Sequence, residues 1–181
     1  MLHTKLITKE MNDFGLFKDL YYTAFPKSEQ IPMAFLLRKA KKDGIRFNAY
    51  YDEDIFVGFT YTITDGDLTY LLYLATRADI RSKGYGRQIL NHIRTTYPVN
   101  RLVLNCLAED ENADDNEMRK RRQNFYFRNG YAYAGFSCKM NGNSLIVLAH
   151  NCHVTPEEFL GIFKKFWGSI FFAFFKPKMR E

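Results

Sequence analysis

The stretch from Leu68 to Leu107 constrains the fold more than any other part of the sequence. Aromatic and β-branched residues from Leu68 to Thr76 predict a strand, a helix is predicted from Gly84 to about Thr96, and Arg101 to Leu107 predicts another strand. Two strands joined through a helix form a crossover, which places them parallel to each other in one sheet. The sequence therefore predicts an α/β (α+β) protein.

Strands on both sides of this crossover extend the predicted sheet. Acidic turns at Asp52-Glu53-Asp54 and Asp65-Gly66-Asp67 separate three strands, and tight turns of this kind join antiparallel neighbours. A hairpin is predicted between Tyr131 and His150. Helices are predicted at Phe14 to Phe25, Met33 to Ala40 and Met118 to Arg128. The predicted architecture is a mixed, mostly antiparallel sheet flanked by helices.

The chain ends in an apolar segment. The start of its predicted helix, which runs to about Trp167, is marked by an N-cap, a first-turn proline and a capping box: Thr155, Pro156 and Glu158. We divide the chain into a domain at residues 1–150 and a helical extension at residues 151–181, packed on that domain or at a self-association surface. A membrane-surface helix is the alternative. Phe166 to Phe175 is about half the roughly 20 residues that a membrane-spanning helix needs, so no membrane span is predicted.

The turn before the predicted helix at Gly84 carries the chemistry. Its glycines let the backbone approach a ligand, and the helix N-terminus favours an anion. Three cations in the turn favour a pyrophosphate: the segment is Arg81, Ser82, Lys83, Gly84, Tyr85, Gly86 and Arg87. The glycine spacing excludes a P-loop and a dinucleotide-binding fold. A plain tight connection between strand and helix is the alternative.

This turn resembles the Arg/Gln-x-x-Gly-x-Gly/Ala pyrophosphate loop of the GNAT superfamily of N-acetyltransferases. The segment from Asn124 to Tyr131 resembles the second signature of that family, an aromatic-tyrosine pair followed by Gly-Tyr. The order of the predicted helices and strands from Met1 to His150 also resembles that of the family. The resemblance implies a GNAT-type acyl-CoA N-acyltransferase fold, acetyl-CoA as the co-substrate, and direct transfer of an acetyl group to a primary amine.

The resemblance also implies roles for individual residues. The backbone of Leu74, Ala75 and Thr76 would pair with the pantetheine arm, and the amides from Ser82 to Arg87 would hold the pyrophosphate. Tyr126 occupies the position whose hydroxyl protonates the departing thiolate in many family members. The alternative for Tyr126 is a core aromatic residue on a helix.

The general base and the acceptor site are less well marked. Many members carry a glutamate on the fourth strand, but Leu68 to Thr76 contains no carboxylate. Deprotonation through water is therefore open, and Glu109 and Asp110 are the nearest candidate bases, with Glu109 preferred and Asn105 as a polar helper. Glu29 lies where the family builds its acceptor-binding wall and is the candidate amine contact. A solvated acidic loop and a proline-bracketed turn are the alternatives for Glu109 and Glu29.

Two rival functions remain open at this point. A non-catalytic acyl-CoA-binding or regulatory protein would explain the missing strand carboxylate. A nucleic-acid-binding module would use the net charge of +6 and the run Arg119 to Arg122, but a solvated, salt-bridged helix face is the preferred interpretation, so no nucleic acid is predicted. The acceptor is open among a polyamine, an aminoglycoside, an amino acid and a protein N-terminus.

The cysteines and histidines bear on location and on metals. The three cysteines lack the paired spacing of a disulfide framework, which predicts a cytoplasmic protein with reduced thiols. His150, Cys152 and His153 lack a fourth ligand at a suitable spacing, so no metal is predicted. Formation of a homodimer stays open.

Overall fold

The computed structural model describes residues 2–80 and 83–180 and gives them six helices and eight strands. The strands are β1 (Leu2–Leu6), β2 (Ile45–Asp52), β3 (Ile55–Asp65), β4 (Leu68–Thr76), β5 (Arg101–Leu107), β6 (Tyr131–Met140), β7 (Asn143–His150) and β8 (Lys178–Arg180). The helices are α1 (Phe14–Ala24), α2 (Met33–Lys39), α3 (Tyr85–Thr96), α4 (Asn116–Arg128), α5 (Pro156–Trp167) and α6 (Ser169–Phe175). The α/β class predicted from the sequence is confirmed.

The chain divides into two compact units. The first contains residues 1–63 and 71–98, and the second contains residues 64–70 and 99–181. The sheet of the first unit has the strand order β1-β2-β3-β4, and that of the second has the order β4-β5-β7-β6-β8. Strand β4 contributes to both because its first three residues belong to the second unit.

An aromatic core fills the first unit. Helix α1 buries Phe17, Leu20 and Tyr21, which recur at the spacing of one helix face. The Phe17 ring meets the rings of Phe47 and Phe59 edge to face, each with a centroid distance of 5.0 Å. Edge-to-face pairs of this kind add to the free energy gained from burial. Helix α1 is therefore fixed on β2 and β3 by one shared cluster.

The second unit is built on antiparallel pairs. Strand β7 lies between β5 and β6, and its register pairs Asn105 with Val147 and Cys138 with Leu145. Asn141 and Gly142 join β6 to β7 with φ of 49° and 83°, the left-handed values that a two-residue hairpin loop requires. Strand β8 pairs with β6, as in Cys138 with Met179, and it was not predicted.

Helix α5 begins as the sequence predicts. The Thr155 hydroxyl accepts the Glu158 N–H, and the Glu158 carboxylate accepts the Thr155 N–H at 2.9 Å. The helix buries a continuous apolar stripe consisting of Phe159, Ile162, Phe163 and Phe166. The Phe159 ring contacts the rings of Tyr70 and Phe136 at 5.6 and 5.8 Å. The helix is thus a core element of the second unit.

A three-residue ion cluster holds the start of α5. Arg101 donates to both Asp67 oxygens, at 2.9 and 3.0 Å, and to both Glu158 oxygens, at 3.1 and 2.7 Å. The hydrogen bonds from Arg101, together with the Thr155 N–H, lower the pKa of Glu158 from 4.5 to about 2. The pKa of Asp67 is lowered by the same arginine.

Substitution of Glu158 by glutamine tests this cluster. A glutamine keeps the capping box but removes the charge, so the free energy of unfolding at pH 7 should fall by about 1 kcal/mol. Because the folded pKa is depressed, the ionised carboxylate stabilises the fold above pH 4.5, and this contribution is lost as the pH falls towards 2. Urea unfolding should therefore show the difference between wild type and Glu158→Gln shrinking over that range. The exposed neighbour gives the control Glu157→Gln, and an equal loss in the control would contradict the assignment.

The predicted elements agree with the observed ones to within a residue or two. The main shift is in α4, which begins at Asn116 instead of Met118. No helix within residues 2–80 and 83–180 is long and apolar enough to cross a lipid bilayer.

Candidate functional site

The end of β4 lies unusually close to β3 in the first unit. Gly58 of β3 faces the backbone of Ala75 and Thr76, and a Cβ added at Gly58 would clash with the Ala75 carbonyl and stand 3.1 Å from the Thr76 Cα. Real Cβ atoms do not tolerate such a clash, so only glycine permits this approach. Gly58 thereby positions the segment of β4 that the sequence predicts to pair with the pantetheine arm.

Arg77 fixes the chain where it leaves β4. Strand β3 carries a bulge here, because Tyr50 pairs with Gly58 while Tyr51 pairs with Phe56. The Arg77 N–H donates to the carbonyl of Val57, the extra residue, at 3.0 Å, and the guanidinium donates to the Phe56 carbonyl at 3.1 Å. The end of β4 is thus bonded to the bulge.

The predicted pyrophosphate turn leads into α3. Gly84 precedes the helix with φ of 78°, a left-handed conformation that favours glycine, and no side chain of the described residues caps the helix there. The first turn of α3 contains no acidic residue, while Lys83 and Arg87 are exposed. Uncapped N–H groups and nearby cations suit an anion. Arg81 and Ser82, also assigned to this turn, lie outside the described residues.

Tyr85 and Gly86 occupy the first two positions of α3. The Tyr85 hydroxyl donates to Asp52 at 2.8 Å, and this hydrogen bond raises the pKa of Tyr85. Tyr85 therefore ties the start of α3 to the end of β2. Gly86 has no positive φ, and its helical backbone conformation is one that any residue can adopt.

Two tyrosines hold the segment that carries Glu29. The Tyr73 hydroxyl of β4 donates to the Glu29 carbonyl. The Tyr21 hydroxyl accepts from the Ile31 N–H at 2.8 Å and donates to the Ile31 carbonyl at 2.9 Å. These hydrogen bonds fix the main chain around Glu29 on β4 and α1. The contact on β4 is made by Tyr73, which directly precedes Leu74. Neither tyrosine was assigned this role from the sequence.

Tyr126 lies on the inner face of α4 in the second unit. Its side chain is 8% exposed, and its ring meets Phe125 at 5.2 Å and Tyr131 at 5.7 Å. This buried position is compatible with both interpretations of Tyr126 from the sequence, a catalytic hydroxyl and a core aromatic residue. The role of Tyr126 as an acid stays a prediction.

Two polar side chains of α4 fix the helix on the end of β5. Gln123 is buried and donates to the Leu107 carbonyl at 2.9 Å. Arg119 donates to the Ala108 carbonyl at 3.1 Å and pairs with Asp115 at 2.7 Å, and its side chain is only 16% exposed. Arg119 therefore departs from the solvated face predicted for Arg119 to Arg122. The contact of Gln123 with Leu107 was not predicted, because one glutamine in a largely polar helix has many explanations in a sequence.

The candidate base and its helper have different surroundings. Glu109 is exposed in the loop after β5. Asn105 on β5 accepts the Tyr70 hydroxyl at 2.9 Å and donates to the Met140 sulfur at 3.8 Å. Burial raises the pKa of the neighbouring Cys138 thiol to about 11, with the Asn105 hydrogen bond opposing that rise. Asn105 thus already holds β4, β5 and β6 together, and its contact with a substrate stays a prediction.

Within the part of the chain that the structure describes, no group of three or more histidine, cysteine, aspartate or glutamate side chains is arranged to hold a metal ion. In the first unit, the described residues offer backbone N–H groups and cationic side chains that can contact an anion. In the second unit, they offer a phenol, a side-chain amide and a carboxylate.

In several classes of α/β protein an anionic cofactor binds where a glycine-containing turn leads into a helix N-terminus. A family model described as the acetyltransferase (GNAT) domain matches residues 43–133, just over half of the chain. The chain therefore belongs to the GNAT acetyltransferase family.

Several solved acetyltransferase structures have a similar fold. An acetyltransferase of the GNAT family from Bacteroides thetaiotaomicron has a TM-score of 0.70 at 22% identity over 88% of this chain and 93% of that one. An aminoglycoside 6'-N-acetyltransferase complexed with coenzyme A has a TM-score of 0.66 at 18% identity, covering 85% and 99%. The ribosomal-protein-S18-alanine N-acetyltransferase from Escherichia coli has a TM-score of 0.60 at 17% identity, covering 87% and 97%. At these identities the likeness shows the fold alone.

No curated protein sequence matches the chain.

Proposed function

We propose that this protein transfers an acetyl group directly from acetyl-CoA to a primary amine. Membership of the GNAT family supports the reaction type, and a solved relative of the same fold was complexed with coenzyme A. The amine nitrogen attacks the thioester carbonyl carbon, so a C–N bond forms, the C–S bond breaks and the thiolate leaves. A base or water takes one proton from the amine, and an acid returns one to the sulfur.

The turn before α3 carries this proposal. Gly84 in its left-handed conformation leads into a helix whose first turn contains no acidic residue, and among the described residues no side chain caps its N-terminus. Lys83 and Arg87 add positive charge at that point. The residues present therefore fit a pyrophosphate, with the N–H groups from Lys83 to Arg87 as donors, and Arg81 and Ser82 are proposed to complete the turn.

The end of β4 would hold the pantetheine arm. An extended arm can hydrogen-bond to the backbone of Leu74 to Thr76 in the manner of an added strand. The close approach of Gly58 and the two hydrogen bonds of Arg77 support this role, because they fix that backbone in advance. A fixed backbone loses less conformational entropy when the ligand binds.

Tyr126 is the proposed acid. A phenol is protonated at neutral pH and can donate its proton to the departing thiolate. The position of Tyr126 in the second GNAT signature supports this role, and Gln123 supports it indirectly, since it anchors the same helix to the end of β5. Proton removal from the amine is assigned to water, with Glu109 as the nearest exposed carboxylate after β5.

Glu29 is the proposed contact for the acceptor amine. Its main chain is held by Tyr73, and the residue is half-buried. A half-buried carboxylate attracts a cation more strongly than an exposed one. The acceptors named for structural relatives, which include spermidine, an aminoglycoside and an alanine of ribosomal protein S18, form a first panel.

A non-catalytic acyl-CoA-binding protein is the second candidate. The absence of a carboxylate from β4 favours it, together with the engagement of Asn105 by Tyr70 and Met140. Such a protein would bind acetyl-CoA without releasing free thiol in the presence of any amine.

Thermal unfolding with and without acetyl-CoA tests cofactor binding. At about 100 times the dissociation constant, acetyl-CoA should add about 2.7 kcal/mol to the free energy of unfolding, which raises the Tm by roughly 5–10 °C. ATP at the same concentration controls for general anion binding. An equal rise with ATP, or no rise with either ligand, would contradict the acetyl-CoA site.

A thiol-release assay with the amine panel then separates the two candidates. Release that depends on both acetyl-CoA and an amine supports the transferase. A thermal shift with no release from any amine supports the binding protein.

A further inference from the structure

Helix α6 presents an apolar face to solvent. Ile170 is 77% exposed and Phe174 is 81% exposed, while Phe171 and Phe175 are 54% and 43% exposed. These four positions lie at spacings of one, four and five residues, which places them on one side of the helix. No residue of α6 is buried. An apolar surface of this kind marks an interaction site.

The exposed face is held in place at both ends. Before α6, Gly168 adopts a φ of 79°, which ends α5 and changes the direction of the chain. Helix α6 therefore does not continue the buried stripe of α5. After α6, Pro177 is buried and β8 pairs with β6. The Trp167 ring also stacks on Phe175 at 4.3 Å. Helix α6 is therefore a fixed projection of the second unit, whose apolar side chains remain outside although the chain around them is anchored.

Positive charge flanks this projection on both sides along the chain. The sequence from Phe159 to Arg180 contains no acidic residue. It contains five cations, all exposed: Lys164, Lys165, Lys176, Lys178 and Arg180. Of these, Lys165 also contacts Asp65 at 3.2 Å. An exposed aromatic helix is thus flanked in the chain by exposed cations, which is the chemistry that an anionic lipid surface recognises.

We propose that α6 docks on the surface of an anionic lipid bilayer, with its apolar face inserted at the level of the headgroups. The cations on either side would contact lipid phosphates, and Trp167 is of the residue type that favours this interface. The helix has only seven residues, so it lies on the membrane and does not cross it. This inference does not depend on acetyl transfer.

A second copy of the chain fits the surface less well. The four exposed side chains offer roughly 500 Å² at most, whereas a stable pair of proteins buries about 800 Å² on each partner. A symmetric dimer through α6 would also bring two sets of like charges together. An anionic bilayer removes the same apolar surface from water and pairs the cations with opposite charge.

Co-sedimentation of the full chain with vesicles tests this proposal. The protein should sediment with vesicles of phosphatidylcholine mixed with phosphatidylglycerol, and at least about tenfold less with phosphatidylcholine alone. Raising the salt concentration should weaken the binding. The double variant Phe171→Ser/Phe174→Ser should bind about tenfold more weakly or worse. The double variant Lys176→Gln/Lys178→Gln should lose roughly tenfold and show less dependence on salt.

Matched variants elsewhere on the surface serve as controls. Leu16→Ser/Val99→Ser removes two exposed apolar side chains, and Lys18→Gln/Lys27→Gln removes two exposed cations. Both should bind vesicles like the wild type. Equal binding to both kinds of vesicle, or unchanged binding by the phenylalanine variant, would overturn the proposal. So would absence of vesicle binding together with a concentration-dependent dimer that Phe171→Ser/Phe174→Ser dissociates, which would assign the face to a second copy.

Discussion

Replacement of Gly86 by glutamate is expected to abolish the stabilisation of this protein by acetyl-CoA while leaving the fold intact. The new carboxylate would stand in the first turn of α3, among the N–H groups proposed to hold the pyrophosphate. Like charges in that position oppose ligand binding, so the affinity should fall by more than about a hundredfold and the roughly 5–10 °C rise in Tm should disappear.

The stability of the ligand-free variant should change in the opposite direction. Glycine inside a helix costs about 1 kcal/mol relative to better helix formers, and an acidic side chain near a helix N-terminus is favourable by about 0.3–1 kcal/mol. The unliganded Gly86→Glu protein should therefore be at least as stable as the wild type. This opposition separates a lost binding site from a damaged fold, because a damaged fold would lower the Tm with or without acetyl-CoA.

Helix α1 supplies a matched control. Gly15 is the second residue of α1, as Gly86 is the second residue of α3, and a Cβ at Gly15 would meet no atom within 4 Å. Gly15→Glu should show the same small gain in stability and keep the full acetyl-CoA shift. An unchanged shift in Gly86→Glu would remove the pyrophosphate turn from the proposed function.

Strong local signals made much of the fold predictable. The capping box at Thr155 appears in the structure as predicted, and β4 has the same bounds in both. In these cases the information lies within a few neighbouring residues: a side chain that caps its own helix, or a run of β-branched and aromatic residues between acidic turns. Strand β8 was missed because its three residues have no periodic pattern, and their pairing with β6 is a long-range contact.

In the candidate site, too, local motifs could be recognised in the sequence and long-range contacts could not. Motif spacing predicts a pyrophosphate site at the turn from Arg81 to Arg87, and a family signature predicts a catalytic role for Tyr126; both stay predictions. The contacts that position these segments were not predicted. The fit of Gly58 against Ala75 joins residues 17 apart in the chain, and the hydrogen bond from Gln123 to Leu107 joins residues 16 apart. A glycine in a strand and a glutamine in a charged helix have many explanations in a single sequence, and only tertiary structure selects one.

The two candidate functions differ in what they require of the Tyr126 hydroxyl: the transferase needs it as an acid, and the binding protein does not. In the transferase, the Tyr126 hydroxyl donates a proton as the C–S bond breaks. Tyr126→Phe should then lower kcat by about 10²-fold or more, since positioned acids contribute 10²–10⁴-fold to the rate. The KM for acetyl-CoA and the acetyl-CoA thermal shift should hardly change, because the ring remains and the pyrophosphate turn is intact. The rate is measured by thiol release with the amine that gives the highest activity in the panel.

The control for this substitution is a second buried tyrosine in contact with the first. Tyr131 is 4% exposed, and its ring lies 5.7 Å from that of Tyr126. If Tyr126→Phe and Tyr131→Phe lower kcat equally, the loss comes from packing and the acid lies elsewhere. If only Tyr126→Phe lowers kcat and leaves the Tm unchanged, the effect belongs to its hydroxyl. An undiminished rate in Tyr126→Phe would leave protonation of the thiolate to water, and Tyr126 would then be the core aromatic residue that its burial also allows.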